Sequence, residues 1–177
     1  MSENEPQLIA RKPRRWARWV RDGSILILIF LAVSAWQNRN LLGEGESVAD
    51  GNQVLRSLDG ETTIMQPDGE KPTVVYFFAP WCHICKASIG NLEYVDSSRF
   101  HVLRIALDYE SEQEVREFVA DAGIEAPVYL GNDALQAKYN ITGFPTYYLL
   151  DKEYSVTDRA MGYSSAAGLK VRTWLAD

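Results

Sequence analysis

Two cysteines, Cys82 and Cys85, are the residues of this chain whose type and spacing most directly suggest chemistry. They follow an apolar run, TVVYFF at residues 73–78, that is typical of a buried central strand, and they open a helical segment. A cysteine at a helix N-terminus meets unpaired N–H groups and the positive end of the helix dipole. We therefore expect the pKa of the Cys82 thiol to lie below the value of about 8.5 for a free cysteine. Two intervening residues on one helical turn bring the two sulfurs close together and leave the sulfur of Cys85 more buried. We therefore predict that Cys82 attacks a substrate disulfide and that Cys85 resolves the resulting mixed disulfide.

A closely spaced cysteine pair can have three other functions, and other features of the sequence argue against each of them. Half of a zinc site would need two further ligands, and His83 and His101 are the only histidines in the sequence. A purely structural disulfide would close a very short loop and contribute little stability. Copper(I) suits thiolates and could be held by Cys82, Cys85 and His83, but the three methionines lie far from the motif. We expect no metal site and no cofactor, and copper handling stays as an alternative.

The two histidines receive different interpretations. His83 lies between the cysteines, where a protonated imidazole would further stabilise a Cys82 thiolate and favour an oxidant. Its alternative is a solvent-exposed residue with little effect. His101 falls inside a predicted strand and is expected to be a packing or edge residue.

Two motifs together point to a known family. Residues 81–86, WCHICK, after an apolar strand resemble the active-site motif of the thioredoxin superfamily, and residues 143–146, GFPT, resemble its cis-proline turn. The resemblance implies that Pro145 is cis and lies against the cysteine pair, and that the backbone before it pairs with substrate chains. A cis bond is inexpensive at proline, at about 0.5–1 kcal/mol. The candidate catalytic residues are Cys82, Cys85, Pro145, Trp81 and His83.

Within the superfamily, the layout is similar to the TlpA/ResA-like branch of membrane-anchored bacterial thioredoxins, over roughly residues 50–177. Three positions depart from the family pattern. Tyr76 stands where thioredoxins have a buried acid, and Ser88 stands where some ResA-like members have a glutamate. Phe144 precedes the proline where the branch often has threonine. The base that takes the Cys85 proton is therefore unassigned, and Glu93 is expected to be a solvated helix charge rather than that base.

The elements that must position these residues alternate between strand and helix. Residues 54–58 and 62–65, around Asp59-Gly60, predict a β-hairpin. Further strands are predicted at 73–78, 100–107, 128–130, 146–150 and 156–163, and helices at 82–95, 112–122, 133–139 and 166–175. The fold class is therefore α/β: a thioredoxin-like fold with a central mixed sheet flanked by helices, an N-terminal β-hairpin and one N-terminal transmembrane helix.

The N-terminal segment predicts export. Residues 24–36 are apolar and uncharged and would span about 20 Å as a helix, which fits the short core of a cleavable signal peptide. Flanking tryptophans, snorkelling arginines and a long basic leader favour an uncleaved anchor. We therefore divide the chain into a cytoplasmic basic leader (1–22), a transmembrane anchor or signal peptide (23–42), a flexible linker (43–52) and a thioredoxin-like domain (53–177).

Charge supports the same arrangement. The chain carries −6 overall, and residues 1–36 hold six basic and three acidic groups, a balance of +3, so the remainder carries −9. Basic residues before an apolar segment keep the N-terminus inside, and an acidic domain has no electrostatic footprint for nucleic acid.

These observations predict a single-pass inner-membrane thiol–disulfide oxidoreductase with its catalytic domain in the periplasm. The resemblance favours the reductive direction, in which a membrane electron-donor thiol protein keeps the pair reduced. The partners would be exported disulfide-bearing proteins such as cytochrome c precursors, and a monomer is expected. A disulfide oxidase or isomerase is the alternative enzyme, and His83 would suit it.

Overall fold

The computed structural model describes residues 15–49, 53–67 and 69–176, and the chain divides into two units, residues 1–37 and 38–177. The main element of the first unit is helix α1, Arg15–Asn38. An apolar stretch within Arg18–Asn38 has a mean hydropathy of 1.5 and is not buried. By length and composition this helix could cross a bilayer, because its 21 residues extend about 31 Å against a hydrocarbon core of about 30 Å.

The helix bounds differ from the predicted anchor at 23–42. Helix α1 begins inside the predicted leader and ends at Asn38, so residues 39–42 are not part of it. Residues 1–14 of the predicted leader lie outside the described residues. The apolar run was too short to span a bilayer alone, and the helix reaches spanning length by including the tryptophan- and arginine-bearing turns before it.

The second unit contains the predicted strands and helices in the predicted order. The strands are β1 (Gln53–Ser57), β2 (Thr62–Met65), β3 (Thr73–Phe78), β4 (His101–Ala106), β5 (Val128–Leu130), β6 (Thr146–Leu150) and β7 (Val156–Met161). The helices are α2 (His83–Ser88), a 3₁₀ helix (Ile89–Tyr94), α3 (Glu112–Ala122), α4 (Asp133–Lys138) and α5 (Ala166–Leu175). One prediction needs correction, since the single helix expected over 82–95 is a short α-helix followed by a 3₁₀ helix.

The strands form one mixed sheet in the order β2-β1-β5-β4-β3-β6-β7. Strands β3, β4 and β5 run parallel to one another, whereas β6 is antiparallel to β3 and to β7. At the other edge, β1 pairs antiparallel with both β2 and β5, as the predicted hairpin requires. The predicted α/β architecture, with a central mixed sheet flanked by helices, is confirmed.

Strand β3 is the centre of the fold, and all six of its residues are fully buried. Its alternate side chains enter two separate cores, because successive residues of a strand point to opposite faces. Tyr76 and Phe78 pack in the core that α2, α3 and α5 cover, and Phe77 packs in the core on the α4 side. A continuous apolar strand is therefore required here, rather than one that alternates with polar residues.

Residues 38–48, of which 43–48 were predicted to be flexible linker, belong to the second unit and pack into its core. Leu41, Leu42 and Val48 are 4–6% exposed and belong to the core on the α4 side. The backbone of this segment pairs with Val156 at the edge strand β7, and Arg159 donates to the Leu42 carbonyl at 2.6 Å. The structure therefore differs from the prediction of a flexible linker, because residues 43–48 are packed and hydrogen-bonded. Residues 50–52 of the predicted linker lie outside the described residues.

We predict that this segment contributes to the stability of the second unit. Leu42→Ala removes a buried side chain and leaves a cavity, so the free energy of unfolding should fall by about 2–5 kcal/mol. Denaturant unfolding of the full chain in detergent measures this difference. The matched control is Leu175→Ala, the same chemical change at a position that is 70% exposed, which should alter stability by no more than about 0.5 kcal/mol. Equal effects of the two substitutions would contradict the packing of residues 38–48.

Candidate active site

Cys82 and Cys85 are joined by a disulfide, with their Cα atoms 5.2 Å apart. Cys82 is the N-cap of α2, and its sulfur accepts a hydrogen bond from the Cys85 N–H at 3.1 Å. Cys82 is 7% exposed and Cys85 is completely buried. The predicted closeness of the sulfurs and the predicted difference in burial are therefore confirmed, while the assignment of attacking and resolving roles stays a prediction.

The position of the pair follows from the end of strand β3. After Phe78 the chain turns through Ala79, whose carbonyl accepts the Cys82 N–H at 3.1 Å, and α2 begins at the next residue. The first N–H groups of a helix have no intrahelical partner, so the Cys82 sulfur occupies a place where backbone donors converge. This arrangement suits a sulfur that carries negative charge during exchange.

Trp81 forms one wall of the site and is held by Asp108. The indole N–H is 3.1 Å from both the carbonyl and the carboxylate of Asp108, which follows strand β4. The indole also meets the Phe144 ring edge-on, with centroids 5.7 Å apart. Trp81 nevertheless remains 55% exposed, so it presents an aromatic surface beside Cys82. Sequence reasoning missed Asp108, although its place directly after a buried strand next to β3 was a usable signal.

The Phe144–Pro145 peptide bond is cis, as the resemblance implied. Gly162 donates its N–H to the Pro145 carbonyl at 2.8 Å, and the Thr146 hydroxyl donates to the Gly143 carbonyl at 2.8 Å, which fixes the turn on both sides. Through the contact of Phe144 with Trp81, the residue before the proline lies against the residue before Cys82. The two motifs identified in the sequence thus meet in space.

The side of the pair that faces the core carries hydroxyl groups. Tyr76 donates to the Cys85 carbonyl at 3.1 Å and lies 3.0 Å from the Ser88 hydroxyl, and both residues are fully buried. Burial raises the pKa of Tyr76 far above its ordinary value, so this phenol stays protonated. Glu93 pairs with the buried guanidinium of Arg104 at 2.6 Å and is 57% exposed. It is a partly solvated helix charge, as expected, with an ion-pair partner that the sequence did not indicate.

A cavity of about 280 Å³ opens beside Cys82, between α2 and α3. His83 and Lys86 line one side, and the opposite side carries acidic residues of α3: Glu114, Glu117 and Asp121. Lys86 pairs with Asp121 at 3.0 Å. His83 is exposed at this opening, and His101 is exposed at the start of β4. Within residues 15–49, 53–67 and 69–176, no group of three or more potential metal ligands lies together.

Comparisons with known proteins agree with this geometry. Residues 58–175 match the family model of the thioredoxin-like domain. The chain is 24% identical over 155 residues to the thioredoxin-like protein YneN of Bacillus subtilis, covering 82% of this chain and 90% of that protein. It is 25% identical over 146 residues to the thiol-disulfide oxidoreductase ResA of Bacillus anthracis, covering 78% and 84% respectively.

Solved structures share the fold. StoA from Bacillus subtilis superposes with a TM-score of 0.63 at 22% identity, over 72% of this chain and 99% of that chain. A thiol:disulfide interchange protein from Chlorobium tepidum superposes with a TM-score of 0.63 at 24% identity, over 76% and 99% respectively.

We predict that the backbone conformation at position 108 limits which residues can replace Asp108 without a loss of stability. Asp108 has φ 51°, a left-handed conformation that glycine adopts freely and alanine does not. Asp108→Ala should therefore be less stable than Asp108→Gly by about 1 kcal/mol in denaturant unfolding, although both lose the same carboxylate. In both variants the Trp81 indole proton should exchange faster with solvent. Equal stability of the two variants would contradict a backbone constraint at this position.

Proposed function

The chain belongs to the thioredoxin-like domain family, and we propose that it is a membrane-anchored thiol–disulfide oxidoreductase that reduces disulfides in exported proteins. The observation that carries the proposal is the Cys82–Cys85 disulfide at the start of α2, in which Cys82 is 7% exposed and lines an open cavity while Cys85 is completely buried. Such a pair can accept and donate two electrons without any further group.

The reaction proceeds in two exchange steps. The Cys82 thiolate attacks one sulfur of the substrate disulfide, so that a bond from Cys82 to the substrate forms and the other substrate sulfur leaves as a thiolate and is protonated. The Cys85 thiolate then attacks the Cys82 sulfur, which forms the Cys82–Cys85 disulfide and releases the second substrate thiol. The oxidised chain is returned to the dithiol by the same exchange with a thiol protein at the membrane.

The residues around the pair receive supporting roles in this proposal. Trp81 and Phe144 form an aromatic surface against which a partner chain can lie, and the backbone before Pro145 pairs with that chain. His83 follows Cys82 as the first residue of α2, where a positive charge on its side chain would stabilise the Cys82 thiolate. The N–H groups at the start of α2 act in the same direction.

The proposed location depends on the N-terminal helix. Helix α1 is long and apolar enough to cross a bilayer, and the basic residues of the leader precede its apolar part. The positive-inside rule then places the leader in the cytoplasm and the catalytic unit in the periplasm. A cleaved signal peptide would give the same compartment without the anchor.

A disulfide oxidase is a second candidate, and the exposed His83 between the cysteines favours it. A histidine that stabilises the thiolate stabilises the reduced pair, and a more stable reduced form makes the disulfide a stronger oxidant. Both candidates use the same residues, so the reduction potential distinguishes them.

We predict that Cys85→Ala accumulates mixed disulfides at Cys82, because the resolving sulfur is absent and the covalent intermediate persists. Expressed as the full chain, the variant should appear on non-reducing gels as adducts in the membrane fraction, and reduction should release an uncleaved chain of 20.0 kDa. Mass spectrometry of the released partners identifies the substrates. The control is the Cys82→Ala/Cys85→Ala double variant, which should trap nothing. Absence of adducts from the single variant would overturn the exchange mechanism.

We further predict a reduction potential below about −200 mV, because a reductase must transfer electrons to its partners, whereas a strong oxidase lies near −120 mV. Equilibration of the full chain in detergent with redox buffers gives the value. His83→Ala should make the potential more negative, since it removes a group that stabilises the thiolate. His101→Ala at the exposed start of β4 is the matched control and should leave the potential unchanged. A wild-type value near −120 mV would favour the oxidase.

A further inference from the structure

Two buried hydroxyl groups converge on the backbone of the predicted resolving cysteine. The Tyr76 hydroxyl donates to the Cys85 carbonyl at 3.1 Å, and the Ser88 hydroxyl lies 3.3 Å from the same oxygen. The two hydroxyls are 3.0 Å from each other, and both residues are 0% exposed. We call Tyr76 and Ser88 the hydroxyl pair.

The carbonyl that the hydroxyl pair contacts lies where α2 ends. The Ile89 N–H also points to the Cys85 carbonyl, and beyond this residue the chain continues as a 3₁₀ helix. The Ile89 N–H gives this carbonyl its regular helical partner, and the hydroxyl pair uses the acceptor capacity that remains on the same oxygen. An unsatisfied buried hydroxyl would cost about 1–3 kcal/mol, and the Cys85 carbonyl supplies the hydroxyl pair with an acceptor.

Strand β3 and its neighbour β6 hold Tyr76, the member of the hydroxyl pair that lies outside α2. Tyr76 is paired with Tyr147 across β3 and β6, and their rings pack with centroids 4.8 Å apart. Phe78, two residues along β3, stacks against Tyr76 at 5.9 Å. The phenol of Tyr76 is therefore fixed by the centre of the sheet, whereas Cys85 lies in a helix of only six residues.

The contact matters most when the disulfide is open. In the oxidised chain, the covalent bond between Cys82 and Cys85 fixes their relative positions. In the mixed disulfide, Cys82 is bonded to the substrate, and no covalent bond joins the Cys85 side chain to Cys82. Besides its apolar contacts in the core, the hydrogen bond from Tyr76 to the Cys85 carbonyl then ties this residue to β3.

We propose that Tyr76 and Ser88 are positioning residues that hold Cys85 against Cys82 during resolution of the mixed disulfide. The inference rests on the proposed exchange function. In that step the Cys85 sulfur, after losing its proton, bonds to the Cys82 sulfur, the bond from Cys82 to the substrate breaks, and the released substrate thiolate takes up a proton. The hydroxyl pair forms no bond to sulfur and acts by keeping Cys85 in reach, which raises the effective concentration of its sulfur at Cys82.

Glutathione redox buffers separate the two steps. In the full chain in detergent, the ratio of the Cys82–Cys85 disulfide to the Cys82–glutathione mixed disulfide, multiplied by the glutathione concentration, gives the effective concentration of Cys85. Acid quenching followed by intact mass measurement gives the populations. Tyr76→Phe and Ser88→Ala should each lower this effective concentration by about five-fold or more, the loss expected for one net hydrogen bond. Formation of the mixed disulfide at Cys82, measured in a Cys85→Ala background, should stay within about two-fold of the value without either substitution.

Tyr148→Phe is the matched control. Tyr148 is also fully buried and follows Tyr147 on β6, but its hydroxyl donates to the Tyr139 carbonyl and accepts from the Leu42 N–H. The Tyr148→Phe variant therefore loses comparable hydrogen bonds on the other face of the sheet, and it should leave the effective concentration of Cys85 unchanged. The double variant Tyr76→Phe/Ser88→Ala should lose less than the product of the single losses, because the two hydroxyls act as one unit.

Two results would overturn the inference: an effective concentration unchanged in Ser88→Ala and in Tyr76→Phe, or an equal fall in Tyr148→Phe. If Tyr76→Phe does not fold, Ser88→Ala decides alone. A wild-type chain that forms neither disulfide species with glutathione would instead overturn the proposed function. If the wild-type chain forms both disulfide species with glutathione and the variants have the same effective concentration of Cys85, only the role of the hydroxyl pair is overturned.

Discussion

Burial of strand β3 on both faces is the constraint on which the rest of the structure depends. Each of its six residues is completely buried, and two neighbouring strands satisfy its backbone groups. Burying a large apolar side chain contributes about 1.5–3 kcal/mol relative to leaving it exposed, so the strand has no alternative position of comparable stability. The end of β3 therefore fixes where the chain must turn and where α2, with Cys82 as its N-cap, can begin.

Strand direction brings the other site residues to the same edge. Because β4 is parallel to β3, its end places Asp108 beside the start of α2, and because β6 is antiparallel, its beginning places Pro145 there. The hydrogen bonds of Trp81 to Asp108 and its ring contact with Phe144 then join the three segments. The site is thus assembled from residues more than twenty positions apart, and the sheet topology alone accounts for their meeting.

The sequence was sufficient to predict features whose signal lies within a few neighbouring residues. It was insufficient for features that depend on contacts with residues distant along the chain. The apolar run of β3, the cysteine spacing and the GFPT turn each carry their meaning within a few residues, and the structure agrees with them. Residues 38–48 look like a linker because most are polar, and their packing becomes evident only when the free edge at Val156 is known. Ser88, where α2 ends, likewise has its hydroxyl partner on β3, twelve positions away.

Tyr76 shows how a departure from a family pattern can be accommodated at a buried position. A carboxyl at this buried position could carry a charge only at a large desolvation cost, because burial disfavours the charged form. A phenol occupies the same strand position, packs its ring against Tyr147 and Phe78, and offers a neutral donor to the Cys85 carbonyl. The polar group is satisfied without introducing a charge. The charged groups at the opening, with His83 and Lys86 on one side and acidic residues of α3 on the other, therefore lie beside Cys82 and on the solvent side of the buried Cys85.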